Sequence, residues 1–254
     1  MAEVKMSFIE HLEELRRRII VMFLSLVVAI GIGYIYAWEI LDILKEPAAR
    51  AGIPLDLYYK TVLEPFTVRF TIAMYAAIIL AFPVIIYEII AYITPALRKR
   101  ERRFMYWALL FIIIFFMAGV LFCYLYILPV GLDWLIGQAE DQITPVLMAG
   151  DYVSLVVLLM LAVGVSFETP LVVWLVVRLG IITPQRLHKN WRWAVIIILA
   201  FAAIITPDWN PITMMLVALP MFILYEGSIL MAMLARRSSA KKKRDLEESL
   251  EGEE

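Results

Sequence analysis

The chain is short of cysteine, histidine and charge. Its 254 residues include one cysteine, Cys123, two histidines, His11 and His188, and only 19% Asp, Glu, Lys and Arg. A single cysteine excludes an intrachain disulfide and any metal site built from several thiolates. The two histidines sit in charged segments with no second ligand at metal spacing. No glycine-rich phosphate loop is present, so nucleotide chemistry loses its usual signature as well. Low charge is the most restrictive of these shortages. Ordinary globular chains are about 25% charged and about 45–50% apolar, whereas here 63% of the residues are apolar and the mean hydropathy is +0.84. That balance excludes a water-soluble enzyme, a disordered chain and a nucleic-acid binder, and it identifies an integral membrane protein, whose apolar runs of helix-spanning length read as all-α.

What is present is a series of long uncharged runs. Ile19 to Trp38 is twenty residues without a charge, the length that a hydrocarbon core of about 30 Å demands of a helix rising about 1.5 Å per residue. Arg16-Arg17-Arg18 ahead of it resembles a signal-peptide flank. The run is nevertheless longer than a cleavable apolar region and no A-x-A site follows, so it reads as a retained anchor. Further runs are Phe70 to Tyr87 with Pro83 inside, Phe104 to Leu132 with Pro129 marking its end, and Tyr152 to Val177 interrupted by Glu168 alone. Trp193 to Pro207 and Trp209 to Ala235, the latter containing Glu226, complete six spans. The fifth, at fifteen residues, reaches only about 22 Å as a helix, which requires a thinned bilayer or a hairpin with span six. Residues 1–18 read as a cytoplasmic amphipathic helix ahead of this 19–235 spanning region, two loops at about 45–66 and 133–150 are long enough to cap one face, and 236–254 reads as a cytoplasmic, disordered tail.

The 23 Lys and Arg are unevenly placed: four in 1–18, five in 91–103, four in 178–192 and six in 236–254, leaving only Lys45, Arg50, Lys60 and Arg69 elsewhere. Basic residues in short loops remain cytoplasmic, so both termini are expected inside and the two capping loops outside. Ile-Thr-Pro recurs at 93–95, 182–184 and 205–207. Thr caps a helix N-terminus and Pro at the next position sacrifices no hydrogen bond, so the first two copies are expected to start helices.

A few acids stand among or beneath the basic clusters. Ser7-Phe8-Ile9-Glu10 has capping-box spacing, and Phe8, Leu12, Leu15 and Ile19 follow on one helical face, with His11, Glu14, Arg18 and Glu10 on the other. Glu13–Arg17 and Glu14–Arg18 at i,i+4 would pair on a solvated face, each contributing about 0.2–0.5 kcal/mol. The functional alternative joins Glu14 to Glu101, the single carboxylate among five cations in 94–103, as acceptors for an arriving guanidinium, which a carboxylate binds through two parallel hydrogen bonds. Glu168 lies ten residues before Arg178, hence about 15 Å below the membrane edge. A carboxyl at that depth is a functional candidate, although it could also answer the Ser166 carbonyl that Pro170 leaves unbonded. Glu226 reads as a helix-to-helix hydrogen-bonding residue, and Glu88 as interfacial.

Taken together, His11-Leu12-Glu13-Glu14-Leu15-Arg16, Pro83-Val84-Ile85-Ile86-Tyr87, Pro95-Ala96-Leu97 with Glu101-Arg102-Arg103, Gly164 to Pro170, Gly180 to Pro184, Thr206-Pro207-Asp208 and Tyr225-Glu226 resemble the TatC family. TatC is the polytopic core subunit of the twin-arginine protein translocase. The resemblance runs from about His11 to Arg237 in order and spacing. It implies a cupped bundle of six transmembrane helices with the fifth and sixth short, placed in the inner membrane. It also implies recognition of Arg-Arg signal peptides on the cytoplasmic face, assembly with TatA- and TatB-type single-span partners and with further copies, and export of folded proteins on the proton-motive force. No enzymatic activity, cofactor, metal or nucleic acid is implied. Position by position, Glu14 and Glu101 would receive the arginines beside Tyr92, Arg16 and Arg18. Glu168, Thr206 and Glu226 would be intramembrane or partner-facing polar residues, and Pro47, Pro83, Pro95 and Asp208 structural or outer-face positions. The turn at Thr206 to Pro211 has one proline fewer than the family's usual form and lacks its Ser-Gln pair.

Other classes fit less well. A proton-coupled solute transporter using Glu168 as relay would be expected to show paired broken helices in matching halves, and one midplane acid is a thin relay. An intramembrane protease needs paired Asp, or Ser with His or Lys, at depth, and the spans offer neither.

Overall fold

The computed structural model describes residues 8–53, 55–94, 99–137, 146–178, 182–205 and 211–251. They form ten helices and two short strands: α1 (Phe8–Ile35), α2 (Ala37–Arg50), β1 (Leu57–Tyr58), α3 (Glu64–Ile93), α4 (Lys99–Phe122), α5 (Leu128–Gly137), β2 (Leu147–Met148), α6 (Ala149–Ser166), α7 (Thr169–Arg178), α8 (Pro184–Lys189), α9 (Trp191–Ile205) and α10 (Pro211–Glu251). A π-helical turn, Cys123–Ile127, joins α4 to α5. Among the described residues five stretches are long and apolar enough to cross a membrane, Ile9–Ile35, Glu64–Tyr92, Tyr106–Gly137, Ala149–Val177 and Met214–Leu234. The fifth of the six expected spans is the short helix containing Trp191–Ile204, and Met214–Leu234, at 21 residues, is the shortest of the other five.

The chain divides into two compact units, Met1–Leu161 and Ala162–Glu254. In the first, α1 and α3 form the most extensive helix pair, running antiparallel so that His11 meets Tyr92 and Gly33 meets Ala73. Small residues set their spacing. Ala29, Ala77 and Ala81 are buried together against Leu26, Ile30 and Ile85, and a Cβ on Gly33 would stand 2.9 Å from the Ala73 carbonyl oxygen. Apolar tails of lipid give helices no hydrophobic reason to associate, so close backbone approach through Gly and Ala supplies the packing. Phe82 of α3 stacks on buried Phe116 of α4 with ring centres 3.7 Å apart.

Several expectations are corrected here. Span one stops at Ile35, and after a turn at Tyr36 the chain begins α2, a helix hidden by its mixed composition. Its buried residues, Ala37, Leu41, Leu44, Pro47 and Ala48, lie on one face while its charges lie on the other. Pro129 does not end span three. The π turn just before it uses an i to i−5 bond, from the Leu128 N–H to the Cys123 carbonyl, and helix resumes through Gly137; this absorbs the proline that would otherwise clash with the carbonyl four residues back. Span four is two helices, broken at Phe167 and Glu168 ahead of Pro170. Thr94 is no N-cap: it closes α3 in a helical conformation with its hydroxyl bonded back to the Ile90 carbonyl at 2.5 Å. Thr183 does cap a helix, accepting from the Arg186 N–H with Pro184 next in line. The α10 backbone runs on to Glu251, through a stretch in which Ala, Lys, Arg, Leu and Glu, all good helix formers, outnumber Ser and Asp.

The two loops of the first unit are stitched by β1 and β2, which pair in parallel with Leu57 opposite Leu147 and Tyr58 opposite Met148. Glu64, opening α3, accepts from the backbone N–H of Lys60 at 2.6 Å and from that of Gly150, in the first turn of α6, at 3.3 Å. An acid facing the N-terminus of a helix complements its dipole. Tyr152 donates to the Leu44 carbonyl at 2.7 Å, fastening α6 to α2.

In the second unit α10 packs against α7, α8 and α9. Tyr225 donates to the Leu187 carbonyl at 3.2 Å, and Glu226 Oε2 lies 3.3 Å from Nδ1 of His188, so two neighbouring residues of α10 hold the short helix α8.

Candidate functional site

The charged end of α1 carries the largest departure from the sequence expectation. His11, Glu14 and Arg18 recur at helical spacing on one face, the face expected to be solvated. In the structure His11, Glu14 and Arg18 are turned toward α3 while Leu12 (49%) and Ile19 (50%) are exposed; Glu10 stays exposed and Leu15 is half-buried.

Two successive turns of α3 meet this face. Tyr92 stacks on the His11 ring, centroids 4.5 Å apart and planes 14° apart. One turn earlier, Glu88 Oε2 accepts from Arg18 Nη1 at 2.9 Å. Arg18 also donates from Nε at 3.1 Å and from Nη2 at 2.5 Å, both to Oε1 of Glu14. The guanidinium thus spans two carboxylates on two helices, and all three side chains are largely covered, with 20% of Arg18, 19% of Glu14 and 13% of Glu88 exposed. Glu14 Oε2 is buried and has no hydrogen-bond partner among the described residues. Two negative groups share one positive group, so the cluster carries a residual negative charge.

Beside the cluster an open groove of about 600 Å³ is lined by Glu10, Glu13, Glu14, Arg16, Arg17, Ile20 and Val21. Along α1 its lining passes from acidic to apolar, with two exposed arginines between. A cation could be neutralised at its head while an apolar segment lies along Ile20 and Val21.

Of the residues singled out from the sequence, Glu14, Arg18 and Tyr92 therefore come together, and Arg16 lines the adjoining groove. Glu101 belongs to the first turn of α4, its side chain outside the described set. Glu168 stands half-buried at the break between α6 and α7, where its carbonyl accepts from Leu171 and Val172 and starts the new helix. Glu226 makes its contact with His188 on α8. Pro47 is buried within α2 and Pro83 lies inside an unbroken α3. Pro95, Thr206 and Asp208 lie outside the described residues. Sequence reasoning missed Glu88 as a member of the cluster. The signal was available in principle: Glu88 precedes Tyr92 by one helical turn, so the two share a face. The pairing of that face with α1 was not visible.

Fold and site together define a multi-pass, predominantly helical membrane protein with a half-buried acidic cluster at one end of its first helix pair. The chain matches the family described as Sec-independent protein translocase protein (TatC) over residues 10–220. It is 36% identical to the Sec-independent protein translocase protein TatC of Aquifex aeolicus over 91% of this chain and 97% of that one, and 33% identical to that of Koribacter versatilis over 97% and 92%. A chloroplast relative from Pisum sativum is 31% identical over 92% of this chain and 65% of its own length. A crystal structure described as the twin-arginine translocase receptor TatC superposes with a TM-score of 0.80 at 34% identity, covering 89% of this chain and all of that one. The chain belongs to the TatC family.

Proposed function

We propose that this chain is the receptor of its translocase, and that the Glu14 end of α1, with Glu101 at the start of α4, takes the paired arginines of a signal peptide. The observation that carries the reading is the buried Oε2 of Glu14, without a hydrogen-bond partner among the described residues, at the head of a groove whose lining changes from acidic to apolar. A signal with two arginines followed by an apolar run has the same order of chemistry. A carboxylate offers a guanidinium two parallel acceptors, and an ammonium cannot use that geometry, so arginine is preferred over lysine. The role is one of binding and passage, without covalent chemistry.

The distribution of basic residues supports a cytoplasmic position for this end, with both termini on the cytoplasmic side of the inner membrane and α2, β1 and β2 on the outer face. Partners in this reading are TatA- and TatB-type single-span proteins and other copies of the chain, and the work of moving folded cargo comes from the proton-motive force. Glu168, an acid at a helix break at intramembrane depth, is the residue assigned to a polar group on a partner helix.

The test is a titration of the detergent-purified protein with a twin-Arg signal peptide and its twin-Lys counterpart, repeated with Glu14→Gln and Glu101→Gln. The twin-Arg peptide should bind the unaltered protein about tenfold or more tightly than twin-Lys, a difference of about 1.4 kcal/mol, and each substitution should shrink that preference. Equal affinities throughout would remove the site. Photocrosslinking from position 168 in native membranes should capture a single-span partner.

A further inference from the structure

The cluster contains more than an acceptor for arginine: it already holds one. Arg18 is a guanidinium placed on the carboxylate that the proposed function assigns to the incoming signal, and it reaches across to a second carboxylate, Glu88, on the neighbouring helix. We propose that Arg18 is a resident stand-in for a signal-peptide arginine, and that Glu88 is a second receiving carboxylate which Arg18 keeps covered until the peptide takes its place. This rests on the receptor reading above and deepens it.

Three observations support exchange rather than a permanent brace. First, the grip of Arg18 on Glu14 is incomplete: Nε and Nη2 both converge on Oε1, although the favourable fork uses both carboxylate oxygens in parallel. Oε2 is left buried without a partner among the described residues, a costly arrangement for an anion's oxygen. A guanidinium entering from the groove could engage both oxygens and relieve that cost. Second, the charge count leaves the cluster one positive group short, so an arriving cation is attracted before Arg18 lets go. Third, Glu14 is approached from two sides, by Arg18 from within the α1–α3 pair and by the groove that Glu10, Glu13 and Ile20 line, so entry does not require Arg18 to leave first. Two guanidiniums and two carboxylates then balance. With Arg18 turned away, Glu88 becomes available to the incoming arginine pair as a further acceptor beside Glu14 and Glu101. A self-occupied site also discriminates, because a ligand must out-compete a guanidinium with something that makes at least as good a fork, which an ammonium does not.

The experiment is a fluorescence titration of the full-length protein in detergent with a labelled twin-Arg signal peptide. Removing the stand-in by Arg18→Gln should tighten binding about two- to fivefold, the gain from no longer displacing a partly exposed ion pair. Removing the covered acceptor by Glu88→Gln should weaken it about fivefold or more. The opposite signs are the diagnostic. A static brace between α1 and α3 is broken equally by either substitution, so a brace predicts weakening, or no change, in both, and that result overturns the proposal. If Arg18→Gln does not yield folded protein, Arg18→Lys serves. It keeps the charge, cannot bridge two carboxylates in a planar fork, and should move binding in the same direction by a smaller factor; weaker binding by that variant overturns the proposal as well. A parallel Glu14→Gln titration separates the two levels. If it abolishes binding while Arg18 and Glu88 variants behave alike, the stand-in fails and the receptor reading stands; if Glu14→Gln leaves binding intact, both fail.

Discussion

The two ends of the α1–α3 pair treat their charges in opposite ways. At the α2 end each of the four basic residues that stand outside the main basic clusters has a local partner. Lys45 meets Asp42 at 3.1 Å, Arg50 meets Glu46 at 2.8 Å, Lys60 meets Asp151 at 3.4 Å, and Arg69 lies 4.2 Å over the Tyr34 ring while donating to the Tyr34 carbonyl. Exposed ion pairs contribute little to stability. The closure of this end comes instead from bonds that fix backbone: Tyr152 on the Leu44 carbonyl, Glu64 on two N–H groups, and the β1–β2 ladder. At the Glu14 end one arginine is divided between two acids and a buried oxygen goes unanswered. The first end is satisfied and therefore holds a shape. The second is charged, incompletely bonded and bordered by a groove, which is the condition of a surface that binds something.

The most direct way to break this contrast is to reverse a charge at each end. Glu14→Lys places a cation where a cation should bind; with two like charges about 4 Å apart costing several kcal/mol in a half-buried setting, twin-Arg peptide affinity should fall about a hundredfold or more. Glu46→Lys at the other end should leave peptide affinity unchanged, and a comparable loss there would mean that the ends are not distinct. A smaller effect is expected from the spacer common to both. Gly33→Ala puts a methyl 2.9 Å from the Ala73 carbonyl oxygen, backbone that cannot swing aside, and should lower stability by about 1–3 kcal/mol in thermal unfolding in detergent. Tyr152→Phe deletes one buried hydrogen bond to Leu44 and should cost about 1 kcal/mol, measured the same way, with peptide affinity intact.

The contrast also separates what could be read from the sequence from what could not. Long uncharged runs, the short fifth span and the Thr183-Pro184 helix start follow from local composition, and all appear in the structure. Helix α2 was missed because its apolar positions, Leu41, Leu44 and Ala48, are diluted by Glu39, Asp42, Lys45 and Glu46, so the stretch has helical period without apolar length. Pro129 misled because a proline breaks an α-helix by local rules, whereas a π turn upstream lets the chain pass it. The Glu14 site was half legible. Glu14–Arg18 at i,i+4 could be predicted, but Glu88 is 70 residues away and joins only because α1 and α3 pack antiparallel. Which residues of α1 turn inward was misjudged, because His11, Glu14 and Arg18 are covered by their pairing with α3, which is not a local property of the sequence.

The smallest expected effect lies within the satisfied end and tests how it is satisfied. Tyr124 Oη stands 2.6 Å from Glu46 Oε2 and 3.0 Å from the Ile43 carbonyl oxygen. It has one proton to give, and the carboxylate is the stronger acceptor. That hydrogen bond first, then the hydrogen bond from Arg50 and its positive charge, hold the Glu46 carboxyl below its ordinary value. A carboxyl held low stabilises the folded state above its ordinary value, and the contribution disappears as pH falls through the lowered one. Tyr124→Phe should therefore move the Glu46 titration, followed by carboxyl carbon chemical shift, upward toward the usual range, and Arg50→Gln, which removes both a hydrogen bond and a charge, should move it in the same direction. If only the arginine substitution moved it, charge rather than hydrogen bonding from Tyr124 would govern this end. It would then resemble the Glu14 cluster more closely than its geometry suggests.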